Sequence, residues 1–582
     1  MTTSDALRFA VADGAWQSVA GITEINLAAG EWLRFDLASG GCWYGHGFAH
    51  RQPYPLESEP ISNDRFAVNN IQSPIWMCSA GVVILAESDA LLAVHSNVGG
   101  SGRLEISCRH EALVVRLFTG DDLPAAHRQL LRHLGWPNPP PAPARLGDSL
   151  FCTWTQYPRT LTQARVLDMA RQIRAQGYPC STLILDDRWE SCYGDLTFAR
   201  EFPDPPGLLR ELHALGFQVW LWVTPFVNVE AAVFPDLERR RILVPRRDGQ
   251  GAALLKWWGG TAGLVDVTAP AGAQWYRDRL AHLQRLGVDG FKIDGGDFKY
   301  QPAPDSAAWQ TPVGPSGYSD RLLALFAEIC PNACETRTAW RSQHRPILWR
   351  EGGKDSHWGL DNGLRAMVTL GLQLGLLGYD ILIPDMIPGR VQTMVADLPL
   401  PSDELLVRWT EASAFFPIMQ FSYFPWNYAP ATALAVRQLA ALHKTLQSYL
   451  VEQATDRTAP LLRPLWYDYP GEAMLAAVAD QFQLGRDLVV APVLAAGQVA
   501  RDVVLPPGDW HDAWTGTRCT QRYLSQHPAP CPGIPIFVRA ENPALLQSLH
   551  AALQSVPRGT VTSGVTTARF SCGLDRDLKT TG

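Results

Sequence analysis

From residue 149 to about residue 453, short apolar runs alternate regularly with longer amphipathic segments. Strands that alternate with helices in this way are typical of a parallel sheet covered by helices. Eight such runs predict a (β/α)8 barrel, and none is followed by a Gly-rich phosphate loop. A doubly wound sheet would need a reversal of strand order, which a sequence does not reveal. The predicted strands span 149–154, 182–186, 218–223, 290–294, 333–337, 347–351, 380–384 and 418–422, and the predicted helices include 162–176, 206–215, 271–286, 318–329, 362–377 and 402–415.

The chain on either side of this region has the pattern of antiparallel β-structure. Before it, apolar–polar alternation recurs at 31–37, 81–86, 91–95, 103–108 and 112–117, and a helix is predicted over 122–134. After it, similar runs occupy 482–494, 499–505 and 534–538. The predicted fold is therefore α/β, with a TIM barrel between two β-modules. The predicted divisions are a β-sandwich over 1–135, a Pro-rich linker over 136–148, the barrel over 149–453, a small C-terminal β-sandwich over 454–556 and a disordered tail over 557–582.

Two aromatic, loop-like segments interrupt the first β-module, at 41–48 and 52–57. Their glycines and prolines predict turns, and their aromatic side chains predict contacts with something apolar. Two interpretations stay open: these loops reach a site in the neighbouring domain, or they pack at the interface between domains.

Composition excludes several classes of function. The net charge of −7 is small for this length, and no block of Lys and Arg occurs, so we expect no nucleic-acid partner. The longest apolar stretch, 364–387, is broken by charged residues and predicts a buried helix and strand instead of a membrane span. The eleven cysteines are scattered, and we expect neither a metal nor a cofactor. No leader pattern opens the chain, which predicts a cytoplasmic protein, and a homo-oligomer is left open.

The fourth predicted strand ends at Asp294, which two glycines follow. The carboxyl ends of parallel strands carry the chemistry in a barrel, because the loops that follow them converge there. Lys292 lies two residues earlier on the same face, so its charge favours the ionised form of Asp294. The simpler interpretation is that Asp294 only caps the turn.

The other strand ends strengthen the catalytic interpretation. They bring together carboxylates, tryptophans and one arginine, and a pair of carboxylates is what the cleavage of a glycosidic bond requires. Tryptophan side chains offer flat apolar walls for a sugar ring. These residues are Trp154, Asp186, Asp187, Trp222, Asp294, Arg337, Asp355, Asp385 and Trp426.

Several motifs resemble glycoside hydrolase family 31. They are Gly290–Asp297 (GFKIDGGD), Leu185–Trp189 (LDDRW) with Phe202–Pro205 (FPDP), and Lys354–Gly359 (KDSHWG). Pro384–Met386 and Met419–Ser422 are similar to the branch that contains the myogenesis-regulating glycosidase. The resemblance runs from about residue 40 to residue 540 and includes Trp43–Gly45, Gln481–Gly485 and Leu505–Trp510.

The resemblance implies a role for individual residues. Asp294 would be the nucleophile and Asp355 the general acid/base, while Arg337, Asp186, Lys292 and Trp258 would bind the sugar. To these we add Asp187, Trp222, Asp385 and Trp426 as substrate-binding candidates from the strand ends. The chain departs from many members of the family in having Lys354 before the acid/base, and Phe424–Asn427 where others have a histidine motif.

The function that this resemblance implies is a retaining exo-α-glycosidase. The branch favours an α-galactosidase, and the alternatives within the family are an α-glucosidase, an α-xylosidase and a transglycosylase. A catalytically silent carbohydrate-binding protein is the alternative from another class, and the presence of both Asp294 and Asp355 argues against it.

Overall fold

The structure is a computed structural model that describes residues 7–49, 51–137, 140–389 and 400–561. The predicted tail lies outside the described residues from position 562 onward, and two residues of the predicted Pro-rich linker, 138–139, also lie outside them.

The N-terminal module consists of two antiparallel sheets that share one apolar core. One sheet has the order β2-β1-β4-β10-β9-β6, the other β3-β11-β8-β7-β5. The five strands predicted for this module are confirmed to within two residues at each end. The elements are β1 (Arg8–Val11), β2 (Gln17–Ser18), β3 (Glu24–Leu27), β4 (Trp32–Asp36), α1 (Leu37–Gly40), β5 (Trp43–Gly47), β6 (Ile61–Phe66), β7 (Gln72–Cys78), β8 (Val82–Ala86), β9 (Leu92–Ser96), β10 (Arg103–Cys108), β11 (Leu113–Thr119) and α2 (Leu123–His133).

The central region is a barrel of parallel strands, and all eight predicted strands are confirmed. A three-stranded antiparallel insertion, in the order β15-β17-β16, follows the third barrel strand. The elements are β12 (Ser149–Cys152), α3 (Gln163–Ala175), β13 (Cys180–Leu185), α4 (Pro205–Ala214), β14 (Gln218–Val223), β15 (Phe226–Asn228), α5 (Phe234–Arg239), β16 (Leu254–Trp257), β17 (Gly260–Leu264), α6 (Pro270–Leu286), β18 (Gly290–Ile293), α7 (Gly317–Ile329), β19 (Cys334–Thr336), β20 (Leu348–Arg350), α8 (Leu364–Leu376), β21 (Leu382–Ile383), β22 (Met386–Ile387), α9 (Asp403–Ser413), β23 (Met419–Phe421), α10 (Pro430–Thr445) and α11 (Gln447–Thr455).

The barrel closes through an interrupted seventh strand. Its first half, β21, pairs with β20, and its second half, β22, pairs with β23. Only Pro384 and Asp385 separate the two halves, and Asp385 has a left-handed backbone with φ of 61°. The two ends of the nine-segment sheet are therefore joined by two residues of chain, which completes the ring.

Local sequence explains where α2 and several of the barrel helices begin and end. Asp122, Thr162, Asp204 and Ser402 each precede a helix, and their side chains accept a hydrogen bond from a backbone N–H of the first turn. Helix α6 ends at Gly287, whose φ of 115° is a conformation that glycine adopts without steric cost. This turn sends the chain directly into β18 and sets where that strand begins.

The C-terminal module carries a five-stranded sheet in the order β24-β25-β26-β30-β28 and a separate β27-β29 pair. Its predicted strands are confirmed, except that the run 482–494 divides into two strands. The elements are β24 (Leu462–Arg463), β25 (Phe482–Leu484), β26 (Leu488–Val490), β27 (Ala500–Val504), β28 (Trp510–Asp512), β29 (Tyr523–Pro528), β30 (Ile536–Arg539) and α12 (Pro543–Leu553).

The two aromatic segments of the N-terminal module pack at domain interfaces. Segment 43–47 is the buried strand β5 and not the predicted loop, and the amide of Gly45 donates to Gln373 Oε1 of α8 at 2.6 Å. The Tyr44 hydroxyl donates to the carbonyl of Ala476 at 2.8 Å, and Trp466 Nε1 donates to the Tyr54 hydroxyl at 3.0 Å. Of the two interpretations, interface packing is the one that the structure shows for these residues. Within the described ranges, no helix is long and apolar enough to cross a membrane.

Candidate active site

A cavity of about 310 Å³ opens at the carboxyl ends of the barrel strands. Seven of the ten predicted site residues line it: Asp186, Asp187, Trp222, Trp258, Lys292, Asp294 and Arg337. The other lining residues are Asn70, Trp154, Lys299, Tyr300, Arg350, Gly353 and Met386. The cavity therefore combines carboxylates, cations and aromatic walls, as the strand ends predict.

Asp294 is held from three directions at the end of β18. Arg337 Nε and the backbone N–H of Gly295 donate to its Oδ1 at 2.6 and 2.9 Å, and Trp222 Nε1 donates to its Oδ2 at 3.1 Å. Gly295 has φ of 83°, and a Cβ there would lie 2.6 Å from the Phe226 ring, so both the backbone conformation and the space require glycine. The carboxylate is fixed in orientation while the residue remains on the cavity wall.

The electrostatic environment keeps Asp294 ionised. Burial alone would raise the pKa of this carboxyl, but the charges of Arg337 and Arg350, the Trp222 hydrogen bond and the charge of Lys292 together lower it to about 2. The predicted effect of Lys292 has the right sign, but Arg337 exerts the larger one. An ionised, oriented carboxylate in a cavity is equipped to act as a nucleophile.

Lys292 forms its ion pair with Asp186 and not with Asp294, the residue whose ionised form it is predicted to favour. Its Nζ lies 2.8 Å from Asp186 Oδ2, and both side chains are almost fully buried. The Cys152 thiol donates to the same Asp186 oxygen at 3.0 Å, and the Asp187 amide donates to Asp186 Oδ1 at 2.8 Å. Asp186 is thus a fixed acceptor on the cavity wall.

The neighbouring carboxyl, that of Asp187, has a raised pKa. Burial raises its pKa, the hydrogen bond from the Tyr193 hydroxyl at 2.5 Å opposes this, and the charge of Asp186 adds to it, so the pKa is about 6. Near neutral pH this side chain exchanges between hydrogen-bond acceptor and donor, which suits contact with a sugar hydroxyl.

Asp385 lies beneath the cavity and not on its wall. The residue is fully buried, its Oδ1 lies 2.8 Å from Arg350 Nη1, and its Oδ2 accepts from the backbone N–H of Lys354 at 3.0 Å. The left-handed turn that interrupts the seventh strand aims this side chain at Arg350. Arg350 also pairs with Glu335 at 3.1 Å and reaches the cavity itself. Asp385 therefore supports Arg350 in this structure, and its contact with a sugar stays a prediction.

Asp355 lies on the loop after β20, outside the cavity lining, although Gly353 of the same loop is part of it. It is partly exposed, and its Oδ2 accepts from Asn362 Nδ2 at 3.0 Å. The adjacent Lys354 turns inward, where its Nζ lies 3.1 Å from Glu351 in a fully buried pair. The charge of Lys354 is thereby directed away from Asp355.

Trp426 is also outside the cavity lining. It stacks on Phe424 with ring centroids 4.7 Å apart and contacts Phe151 and Tyr178. Its contact with a sugar stays a prediction. Trp222, on β14, and Trp258, on the insertion, do line the cavity, and Trp258 makes an edge contact with Tyr300, with ring centroids 5.0 Å apart.

Sequence reasoning did not select seven of the lining residues as binding candidates. Trp154 is among the strand-end residues, and Lys299 lies two residues after the motif Gly290–Asp297, so a signal exists for both. Arg350 carries a charge at the end of a predicted strand, which could also have identified it. For Asn70 no local signal exists, since it comes from the N-terminal module.

The barrel and its cavity are of the kind that glycoside hydrolases use, and comparison with known proteins agrees. Residues 139–453 match the glycosyl hydrolases family 31 TIM-barrel domain, and residues 458–542 match the glycosyl hydrolase family 31 C-terminal domain. Residues 5–126 match the myogenesis-regulating glycosidase N-terminal domain. The chain belongs to glycoside hydrolase family 31.

Among curated proteins, the myogenesis-regulating glycosidase of Mus musculus is 36% identical over 409 residues, covering 68% of this chain and 57% of that protein. The 1,3-alpha-isomaltosidase of Kribbella flavida is 30% identical over 388 residues, covering 60% and 52%. The matched region thus spans little more than half the length of either relative.

Solved structures support the fold. An alpha-xylosidase from a soil metagenome, in complex with xylose, superimposes with a TM-score of 0.77 at 23% identity and covers 90% of this chain and 81% of its own. A dextranase of Flavobacterium johnsoniae gives a TM-score of 0.76 at 19% identity, covering 89% and 67%. At these identities the likeness concerns the fold alone.

Proposed function

We propose that this member of family 31 is a retaining exo-α-glycosidase with Asp294 as its nucleophile. The observation that carries the proposal is the hold on Asp294 by Arg337, Gly295 and Trp222 at the wall of the cavity. These contacts and the low pKa keep the carboxylate ionised and aimed, which a nucleophile needs before substrate arrives.

The chemistry would proceed in two displacements. Asp294 attacks the anomeric carbon, a carbon–oxygen ester bond forms, and the glycosidic bond breaks as Asp355 gives its proton to the departing oxygen. Asp355 then takes a proton from water, whose oxygen attacks the anomeric carbon and releases Asp294. Two inversions return the α-configuration. In a retaining enzyme the two carboxyls work about 5 to 5.5 Å apart.

The assignment of Asp355 as acid/base has two supports. It lies two residues after Gly353, which lines the cavity, whereas Glu351, two residues before Gly353, is fully buried and paired with Lys354. Lys354, its neighbour in sequence, turns inward and pairs with Glu351 and not with Asp355.

Within the family we propose an α-galactosidase. Two similarities to the myogenesis-regulating glycosidase support this: the match of the N-terminal module and the 36% identity to the mouse protein. The chain also departs from many family members at Lys354 and at Phe424–Asn427. Asp186 and Asp187 both line the cavity, where their carboxyl oxygens would discriminate between an axial and an equatorial hydroxyl. An α-glucosidase or α-xylosidase is the alternative, since other relatives carry the names alpha-xylosidase and 1,3-alpha-isomaltosidase.

The test is release of nitrophenol from α-linked nitrophenyl galactoside, glucoside and xyloside by the purified protein. Product configuration is followed by proton NMR in the first minutes, before mutarotation. The proposal predicts hydrolysis with the α-anomer appearing first and galactoside preferred. An Asp294→Asn protein prepared in parallel controls for contaminating glycosidases. Formation of the β-anomer first, or equal rates in the control, would overturn it.

A further inference from the structure

Asn70 belongs to the N-terminal sandwich but lines the cavity of the barrel. It is 8% exposed and lies just before β7. Its side-chain Oδ1 accepts a hydrogen bond from Arg337 Nη1 at 2.6 Å. Only the oxygen of an amide can accept from a guanidinium, so this contact fixes the orientation of the side chain. Arg337 in turn donates to the nucleophile Asp294 through Nε.

The backbone of Asn70 is anchored on the barrel as well. Its N–H donates to Asp297 Oδ1 at 2.6 Å, and Asp297 is fully buried and pairs with Arg337 Nη2 at 3.1 Å. Ile71 forms a parallel bridge with Ala339, on the loop that follows Arg337. Asn70 thus contacts the loop after β18 and the loop after β19 at once.

A third loop makes room for the same side chain. A Cβ on Gly352 would lie 2.8 Å from Asn70 Oδ1, so the loop after β20, which carries Asp355, passes against this amide and needs glycine there. The φ of Asn70 is 54°, in the left-handed region that asparagine tolerates better than most residues. The position, backbone conformation and side-chain contacts of Asn70 are therefore all set by the three loops that surround it.

We infer that Asn70 is a positioning residue: it holds the Arg337 guanidinium in the orientation in which Nε donates to the nucleophile, Asp294. The N-terminal sandwich thereby contributes a side chain to the active site of the barrel. Arg337 has two acidic partners: Nε donates to Asp294, while Nη1 and Nη2 contact Asp297 at 3.2 and 3.1 Å. The shorter bond from Nη1, at 2.6 Å, goes to Asn70 Oδ1, so Asn70 helps to hold the guanidinium in the orientation that directs Nε at Asp294. This role rests on the proposed function, since it concerns the same reaction.

The test uses the full chain with Asn70→Gly, which removes the amide and keeps a left-handed backbone accessible. Asn97→Gly is the matched control: Asn97 is also left-handed, with φ of 50°, and its side chain bonds to Glu57 and Gly102 inside the sandwich. A second variant, Asn70→Asp, keeps the shape but adds a carboxylate that competes for Arg337.

The readout is kcat/KM against pH on the best α-glycoside. We expect a fall of at least about tenfold in both Asn70 variants, and an acid limb that moves to higher pH because Asp294 loses part of its hold on Arg337. Asn97→Gly should keep the wild-type profile. Profiles of both Asn70 variants that coincide with that of Asn97→Gly would overturn the role of Asn70. A wild-type protein without activity on any α-glycoside would instead overturn the proposed function.

Discussion

The two ends of the barrel contain the same kinds of residue and put them to different uses. At the amino end, Arg145 donates to Ser181 at 3.0 Å and contacts Thr182 and Gln218, over the face of Trp220. Its nearest carboxylate, Asp148, is 3.8 Å away. At the carboxyl end, Arg337 meets Asp294 directly beside an open cavity.

The pKa values of Asp148 and Asp294 are shifted in opposite directions. Burial dominates at the amino end and raises the pKa of Asp148 despite its hydrogen bond from Ser181 and the charge of Arg145. At the carboxyl end, the convergence of Arg337, Arg350 and Lys292 overcomes burial and lowers the pKa of Asp294. A buried Arg–Asp pair therefore does not mark a site; several cations converging on one carboxylate beside a cavity do.

The same substitution at both ends gives the strongest contrast. Asp294→Asn should lower kcat/KM by at least about 10³-fold, because the amide cannot form the glycosyl ester. Asp148→Asn should leave kcat/KM within about twofold of wild type. Both rates are measured on one activated α-glycoside with folding checked by circular dichroism. Comparable losses in the two proteins would remove the distinction between the ends.

Asp355→Ala should discriminate between leaving groups. A substrate with a poor leaving group needs protonation in the transition state, so we expect a loss of roughly 10²- to 10⁴-fold there and a much smaller loss with an activated phenol. Azide should then accelerate the mutant on the activated substrate and give the α-glycosyl azide. A uniform loss without azide rescue would assign Asp355 to structure instead.

Arg145→Met should affect stability and not catalysis. Removing one partner of a buried polar cluster costs roughly 3 kcal/mol, which should appear as a drop of several degrees in the midpoint of thermal unfolding. The kcat/KM of the folded protein should not change. Scanning calorimetry and steady-state kinetics on one preparation check both parts, and an unaltered midpoint with reduced kcat/KM would reverse the assignment.

Sugar preference is a smaller effect. One hydrogen bond to an axial hydroxyl is worth about 1 to 3 kcal/mol, so kcat/KM for an α-galactoside should exceed that for the matching α-glucoside by at least about tenfold. Asp187→Ala and Asp186→Ala should each collapse the ratio. A preference for the glucoside would contradict the branch assignment while leaving the role of Asp294 standing.

The smallest predicted effect is on stability against pH. Between the ordinary pKa of 3.8 and the folded value of about 6, Asp187 keeps a proton that the unfolded chain has lost. Folding therefore loses stability as pH rises through this window, and Asp187→Asn should remove that loss. The midpoint of thermal unfolding of Asp187→Asn, relative to that of the wild type, should therefore rise as the pH increases from about 4 to about 7. Asp294, whose pKa is lowered, should show the opposite sign below this window.

Much of the fold could be predicted because its signals are local. Each barrel strand is an apolar run that ends in polar residues, and the structure places all eight where those runs lie. The prediction of a loop over residues 41–48 was wrong, because residues 43–47 form strand β5. Gly45 and Gly47 suggest a turn, but they lie in a bulge where a Cβ would come within 2.4 Å of backbone oxygens on β7 and the loop before it.

The site could be predicted only in part, because side-chain direction is not a local property. Strand position brought Asp294, Asp186 and Trp222 to the cavity. Asp385 shares that position, but a left-handed backbone turns it toward Arg350. Asn70 and Asp297 are 227 residues apart in sequence, and the hydrophobic periodicity of a sequence does not predict a contact over such a separation.

The most direct test of the central assignment is to trap the ester on the nucleophile. A 5-fluoro-α-galactosyl fluoride should inactivate the wild-type protein with transfer of one fluorosugar, because the leaving fluoride allows ester formation while the ring fluorine slows its hydrolysis. Intact mass followed by peptide mapping should place the label on Asp294. A label on any other carboxyl, such as Asp187 or Asp355, in a protein that hydrolyses α-galactosides would contradict the account.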